Sequence, residues 1–276
     1  MKAELEQAAL QALLQTDPAE KCRLTCQLET DWHAAGLTRT GKLPLTGLPI
    51  AGRPEKPELV APDAVPRRSV HTPHGHAALI HAVAHIEFNA INLALDCVLR
   101  FSARGDAFVT QWLSVAAEEA HHFGLLSERL SGLGHAYGDF PAHNGLWEMA
   151  VKTHDDFLAR MALVPRLLEA RGLDATPLIQ ARLREIRDEL TLDILDIILR
   201  DEIGHVAIGD QWFRAECAAR GLQAEDEYAR LVEVFDAPVP RPPLNVAARL
   251  QAGFSPGELA RFEAHHSRLA QRKTAR

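Results

Sequence analysis

Three features of this chain predict an all-α protein built round a four-helix bundle. Long stretches carry apolar residues every three or four positions, as a helix with one buried face requires. Prolines and glycines gather at the ends of those stretches. No alternating strand pattern, phosphate-binding glycine motif or Gly-x-Ser-x-Gly interrupts them. With 276 residues, 47% of them hydrophobic, the chain can bury a sizeable core.

The elements follow in order. Residues 3–15, rich in Ala and Leu, and about 18–35, opened by Asp17-Pro18 as cap and first-turn proline, read as two short helices. From Gly36 to Pro73 the prolines Pro44, Pro49, Pro54, Pro57, Pro62, Pro66 and Pro73 exclude helix and predict an extended arm. Its apolar members, Leu43, Leu45, Leu48, Ile50, Leu59, Val60 and Val65, predict that the arm lies against the core. Thr72-Pro73 opens a helix to about Ala103, and Asp106, after Gly105, caps a second that continues to about Leu133. The connection His135 to Asn144 can stretch about 30 Å, the length of a bundle. A third helix is expected from about Gly145 to Arg171, kinked at Pro165 and stopped at Gly172. Thr176-Pro177 starts a stretch lasting to about Arg220, which at roughly 66 Å is expected to be bent or broken. A helix near 223–235, a proline-rich break from Pro238 to Pro243, and a last helix from the capping box Ser255-Pro256-Gly257-Glu258 complete the chain. The expected division is 1–72 for the N-terminal helices and arm, 73–221 for the bundle, and 222–276 for a C-terminal helical extension.

Composition narrows the function classes. A net charge of −7 and a pI near 6.1 give no field that would attract nucleic acid. The basic tail Arg268 to Arg276 is short and reads as a solvated terminus. Cys22, Cys26, Cys97 and Cys217 form no Cys-x-x-Cys pair and read as reduced thiols. No unbroken apolar run reaches membrane length, and Met1 to Leu14 carries three charges where a signal peptide would be apolar. A cytoplasmic protein without a membrane partner is expected.

Two copies of an acid-acid-x-x-His pattern stand out: Glu118-Glu119-Ala120-His121-His122 and Asp201-Glu202-Ile203-Gly204-His205. Residues three apart share a helix face, so each pattern can offer one carboxylate and one imidazole to a single ion. A di-metal bundle takes two such helices and one Glu from each of two others. Count alone does not establish the site, because 21 Glu and 14 His give about one Glu-x-x-His by chance and the chain has four. Register adds weight. Glu119 and His122 continue the apolar stripe Phe108, Trp112, Val115, Leu126, Leu130, Leu133, whereas Glu118 and His121 continue the more polar Gln111, Ser114, Leu125, Glu128. An acid and an imidazole in an apolar seam are costly unless paired or metal-bound. Glu202 and His205 continue Leu195, Ile198, Gly209 and Trp212, and Glu87 is the single ionisable residue in the stripe Ile80, Val83, Ile91, Ala94, Val98.

Depth along the bundle is a second criterion. With the turn near residue 104, Glu87 lies about 17 residues before it, and Glu119 and His122 about 15 and 18 after it, level to within a few Å. With the next turn placed near residue 174, the partner of Glu202 and His205 falls near residues 143–146, which selects Glu148 and puts Glu169 more than about 30 Å away. Glu118 and Asp201, each just before a ligand Glu, are candidates to orient the ligand histidines. His71, His74, His76, His81 and His85 cluster irregularly at the start of a helix and read as polar packing or a ligand entrance. His154 reads as a satisfied core histidine, and Glu263-x-x-His266 as chance.

The segments Ala78-Leu79-Ile80-His81-Ala82-Val83-Ala84-His85-Ile86-Glu87, Ala116-Ala117-Glu118-Glu119-Ala120-His121-His122-Phe123, Gly145-Leu146-Trp147-Glu148-Met149-Ala150 and Asp201-Glu202-Ile203-Gly204-His205-Val206 resemble the ferritin-like superfamily. Within it they are similar to a bacterial family known as domain of unknown function four-five-five. The arm and the stretches Pro243-Leu244-Asn245 and Ala252-Gly253-Phe254 also resemble that family, so the likeness covers nearly the whole chain. It implies a di-iron four-helix bundle and supplies no substrate. Histidines on both motif helices resemble O2-activating di-iron enzymes more than storage ferritins. The tyrosine that follows the first motif in the radical-generating ribonucleotide reductase subunit is Leu126 here, which argues against a stored tyrosyl radical.

The expected function is a di-iron carboxylate protein, an O2-dependent oxidase or hydroxylase of a small organic substrate. Glu87, Glu119, His122, Glu148, Glu202 and His205 would hold two Fe ions about 3.5–4 Å apart, with Mn as the alternative metal. Such an enzyme needs an electron donor, and a homo-oligomer is compatible with the sequence. The alternative is a non-catalytic iron-sequestering protein or a scaffold with a vestigial site.

Overall fold

Asp17 Oδ1 accepts the Glu20 amide at 2.8 Å and Pro18 opens helix α2 (Pro18–His33), as the cap signal predicts. The computed structural model describes residues 3–43, 47, 50–66 and 68–264. Pro44, Leu45, Leu48 and Pro49 of the arm, His266 and the basic tail lie outside the described residues. The fold is all-α. The helices are α1 (Leu5–Leu14), α2, α3 (Pro73–Phe101), α4 (Asp106–Gly132), α5 (Gly145–Lys152), α6 (Phe157–Leu163), α7 (Ala170–Glu185), α8 (Glu189–Ala219), α9 (Ala224–Val234) and α10 (Val246–Gln251), and residues 256–264 are also helical. The described strand is minimal: Ala3–Glu4 pairs in parallel with Leu37–Thr38.

The chain divides into two compact units, residues 1–155 with 183–194, and residues 156–182 with 195–276. In the first, Thr72 caps α3 by accepting the Gly75 amide at 3.1 Å, and α3 packs along α4 after a tight turn, Ser102–Arg104. Gly105 leaves that turn with φ 114°, a conformation that strains any residue with a side chain. Helix α3 is apolar and long enough to match a membrane span by composition, but most of it is buried. The described arm is held to α1 and to the 135–144 connection by hydrogen bonds rather than by the expected burial of its apolar residues, since Leu43 and Ile50 are exposed and Leu59, Val60 and Val65 half-buried. Glu6, buried in α1, accepts from Thr40 N, Gly41 N and Ser102 Oγ. These donors overcome the burial that would raise its carboxyl and hold it below the usual range. Further along, Gly52 N donates to Leu13 O at 2.8 Å, and Val60 N to Ala142 O at 2.8 Å.

In the second unit the buried Arg166 binds Asp210 at 2.6 Å and also Glu258, while Arg249 binds Asp174 at 2.6 Å. These pairs attach the C-terminal extension to its helices.

The third and fourth long helices differ from expectation. Helix does not stop at Gly172: α6, a π-helical segment Val164–Glu169 and α7 are contiguous from 157 to 185, through Gly172 and Pro177. The expected kink at Pro165 is that π segment, since a residue without an N–H breaks the regular ladder. The turn falls at 186–188, where Arg187 has φ 57° and Asp188 Oδ1 accepts the Thr191 amide at 3.2 Å as cap of α8. The break expected within 177–220 is this turn.

Candidate metal centre

In the first unit, Glu87 of α3 meets Glu119 and His122 of α4. Glu87 is 2% exposed and the other two 0%. Their ligand atoms all lie within 4.8 Å of one another. His122 Nδ1 is 3.2 Å from Glu87 Oε2 and 3.5 Å from Glu119 Oε2. Burial raises the Glu87 carboxyl above its usual range, and the Glu119 charge raises it further. Burial alone would lower His122, but hydrogen bonds to the two carboxylates outweigh it and raise the imidazole well above its ordinary value. The imidazole proton thus does for the two acids what a bound cation would do. Two carboxylates and one imidazole, buried and convergent, fit a divalent transition metal.

The seam register holds. His121 is exposed and Glu118 half-buried, one step round α4 from the buried pair. Glu118 lies near Glu29, whose carboxyl is raised by burial and, more weakly, by the Glu118 charge.

In the second unit, Glu202 and His205 of α8 are also buried, with Glu202 Oε2 4.0 Å from His205 Nδ1. Asp201 accepts from Arg200 at 2.8 Å and 3.1 Å. Glu148 is exposed on α5, whose buried residues are Trp147, Met149 and Ala150. The buried acid that sequence reasoning passed over is Glu169, 8% exposed, at the end of the π segment. Pro165 packs on Gly209, where an added Cβ would lie 2.5 Å from Pro165 Cγ, and Arg166 binds Asp210. One turn on from Pro165 is Glu169, and one turn back from Gly209 is His205, so antiparallel helices bring the two to one level. With the turn at residue 187, Glu169 lies 18 residues before it and Glu202 and His205 lie 15 and 18 after it. The signal that would have found it is Asp188, a cap three residues before Thr191.

A profile for a family described as "Protein of unknown function (DUF455)" matches residues 14–260. The chain belongs to this family. It is 48% identical over 262 residues, 90% of each chain, to an uncharacterised protein of Haemophilus influenzae. No solved structure matches. The match takes in both acid-acid-x-x-His helices, Glu87 and Glu169.

Of the histidines before Glu87, His71 and His74 are exposed, while His76, His81 and His85 are held in polar contacts. His76 Nε2 pairs with Asp188 at 2.6 Å, and His81 Nε2 accepts the Gly138 amide at 2.9 Å. His85 pairs with Tyr137 Oη at 2.8 Å. Burial lowers His81 and His85 to about 4, so both are neutral at pH 7. His154 is half-buried against Val151 O.

Proposed function

We propose that this protein is a di-iron carboxylate protein on a ferritin-like four-helix scaffold, using O2 to oxidise or hydroxylate a small organic substrate. The observation that carries the reading is the convergence of two buried carboxylates and a buried imidazole at Glu87, Glu119 and His122. Glu202 and His205, with Glu169 at the same level along the antiparallel helices, are the donors we propose for a second ion. When bound, ferrous iron supplies the electrons that O2 requires. The carboxylates offset the metal's charge in an interior that would not otherwise accept it. Closely packed Trp112, Val115 and Leu126 on the same face of α4 keep water from the donors. His122 must give up its proton to become a ligand, so loading releases a proton and weakens in acid.

Anaerobic loading with ferrous iron tests this. Two ions per chain are expected, with one lost in Glu119→Ala or His122→Ala and both kept in His121→Ala. Subsequent O2 should be consumed and leave about two ferric ions per chain, in line with a two-metal centre. Iron content near zero would overturn the reading, and uptake of many irons into a mineral would replace it with storage.

A further inference from the structure

The arm roofs a cavity of about 210 Å³ in the first unit, separate from the face of α3 that carries Glu87. Its walls come from the arm, α3, the 135–144 connection and α5. Apolar surface is supplied by Pro57, Leu59, Phe88 and Trp147. The space is built and held. Lys21, 0% exposed, donates to Leu13 O at 2.6 Å and to Asn92 Oδ1 at 2.6 Å, while Gly52 N reaches the same Leu13 carbonyl at 2.8 Å. Asn92 is thereby fixed in the cavity wall, and the arm is tied down beside it. A Cβ on Gly52 would lie 2.1 Å from Leu14 O, so only glycine allows that approach.

The charge lining this space is one-sided. Among the described residues no acid lines it, and His85 is neutral at pH 7. Among the described lining residues Arg53 is the cation, and its charge counters the effect of burial on Tyr137 at the cavity wall. Arg53 Nη1 donates to Pro54 O and Pro57 O at 3.3 Å and 3.4 Å, which points the guanidinium along the arm. These hydrogen bonds of Arg53 among the described residues use Nη1 alone, leaving Nε and Nη2, the edge that takes a carboxylate in two parallel hydrogen bonds.

We propose that this cavity binds a small aromatic monocarboxylate, ring between Phe88 and Trp147 and carboxylate on the Nε–Nη2 edge of Arg53. An apolar cavity of about 150 Å³ accepts benzene. The 210 Å³ here leaves room for one carboxylate beyond the ring, and little more. The inference is independent of the metal reading, because it concerns binding and uses none of the metal ligands.

Calorimetric titration of the full-length protein with sodium benzoate, and in parallel with neutral benzamide, tests it. Benzoate should bind one per chain and saturate. Arg53→Gln should weaken benzoate about tenfold or more, the worth of a charge-assisted pair, while leaving the weaker benzamide binding unchanged. Arg53 is exposed, so this variant should melt with the wild type. Leu59→Trp, which fills the cavity, should abolish both. Arg53→Lys, which keeps the charge and loses the two-pronged edge, should fall between wild type and Arg53→Gln. No saturable benzoate binding, or equal affinity in wild type and Arg53→Gln, would overturn the proposal and leave the metal reading standing.

Discussion

Glu169 and Glu148 give opposite expectations for one measurement. Pro165 sits against Gly209, and the turn after one meets the turn before the other, which sets Glu169 level with His205. If the proposed second ion is bound there, replacing Glu169 by Ala would leave it Glu202 and His205, with His205 Nδ1 4.0 Å from Glu202 Oε2. Even an outer partner of a ligand is worth about 10–100-fold in metal affinity, so a lost carboxylate should cost on the order of 100-fold or more. Glu148 is exposed on α5 and should cost nothing. The assay is anaerobic ferrous loading, removal of free iron by desalting, and elemental analysis, with melting curves to show that each variant folds. Glu169→Ala should carry one iron per chain and Glu148→Ala two. Two irons in Glu169→Ala with one in Glu148→Ala would refute the level argument and return the fourth acid to α5.

The remaining expectations concern packing and protons. Burial lowers the Lys21 amine from 10.5 to about 7, so between those values the unfolded chain binds more protons and stability rises with pH, by at most about 1.4 kcal/mol per unit. Urea unfolding at about pH 7.5 and 8.5 should show this slope in the wild type and its loss in Lys21→Met; equal slopes would refute it. Gly209→Ala puts a methyl 2.5 Å from Pro165 Cγ and should cost about 1–3 kcal/mol in the same assay. A neutral substitution there would show that the π segment does not rest on α8 as described.

The sequence by itself determined the helical class, the caps at Asp17 and Thr72, and the register of α4. These are local or periodic properties: a cap needs one side chain and one amide three residues on, and a seam needs only spacing. The choice of Glu119 and His122 over Glu118 and His121 followed from such spacing, and burial agrees with it. The helical break near 187 and the identity of the buried acid before it were decided by tertiary structure. Gly172 and Thr176-Pro177 carry the local marks of a stop and a start, yet helix runs through them. An interior proline costs about 3 kcal/mol, and that cost is offset because a continuous helix buries Leu173, Thr176, Gln180 and Leu183 at steps of three and four. Pro165 is likewise accommodated only because Gly209, 44 positions along the chain, leaves room for its ring. No local pattern encodes such a distant contact, and moving the turn by 13 residues, from 174 to 187, is what sets Glu169 level with His205.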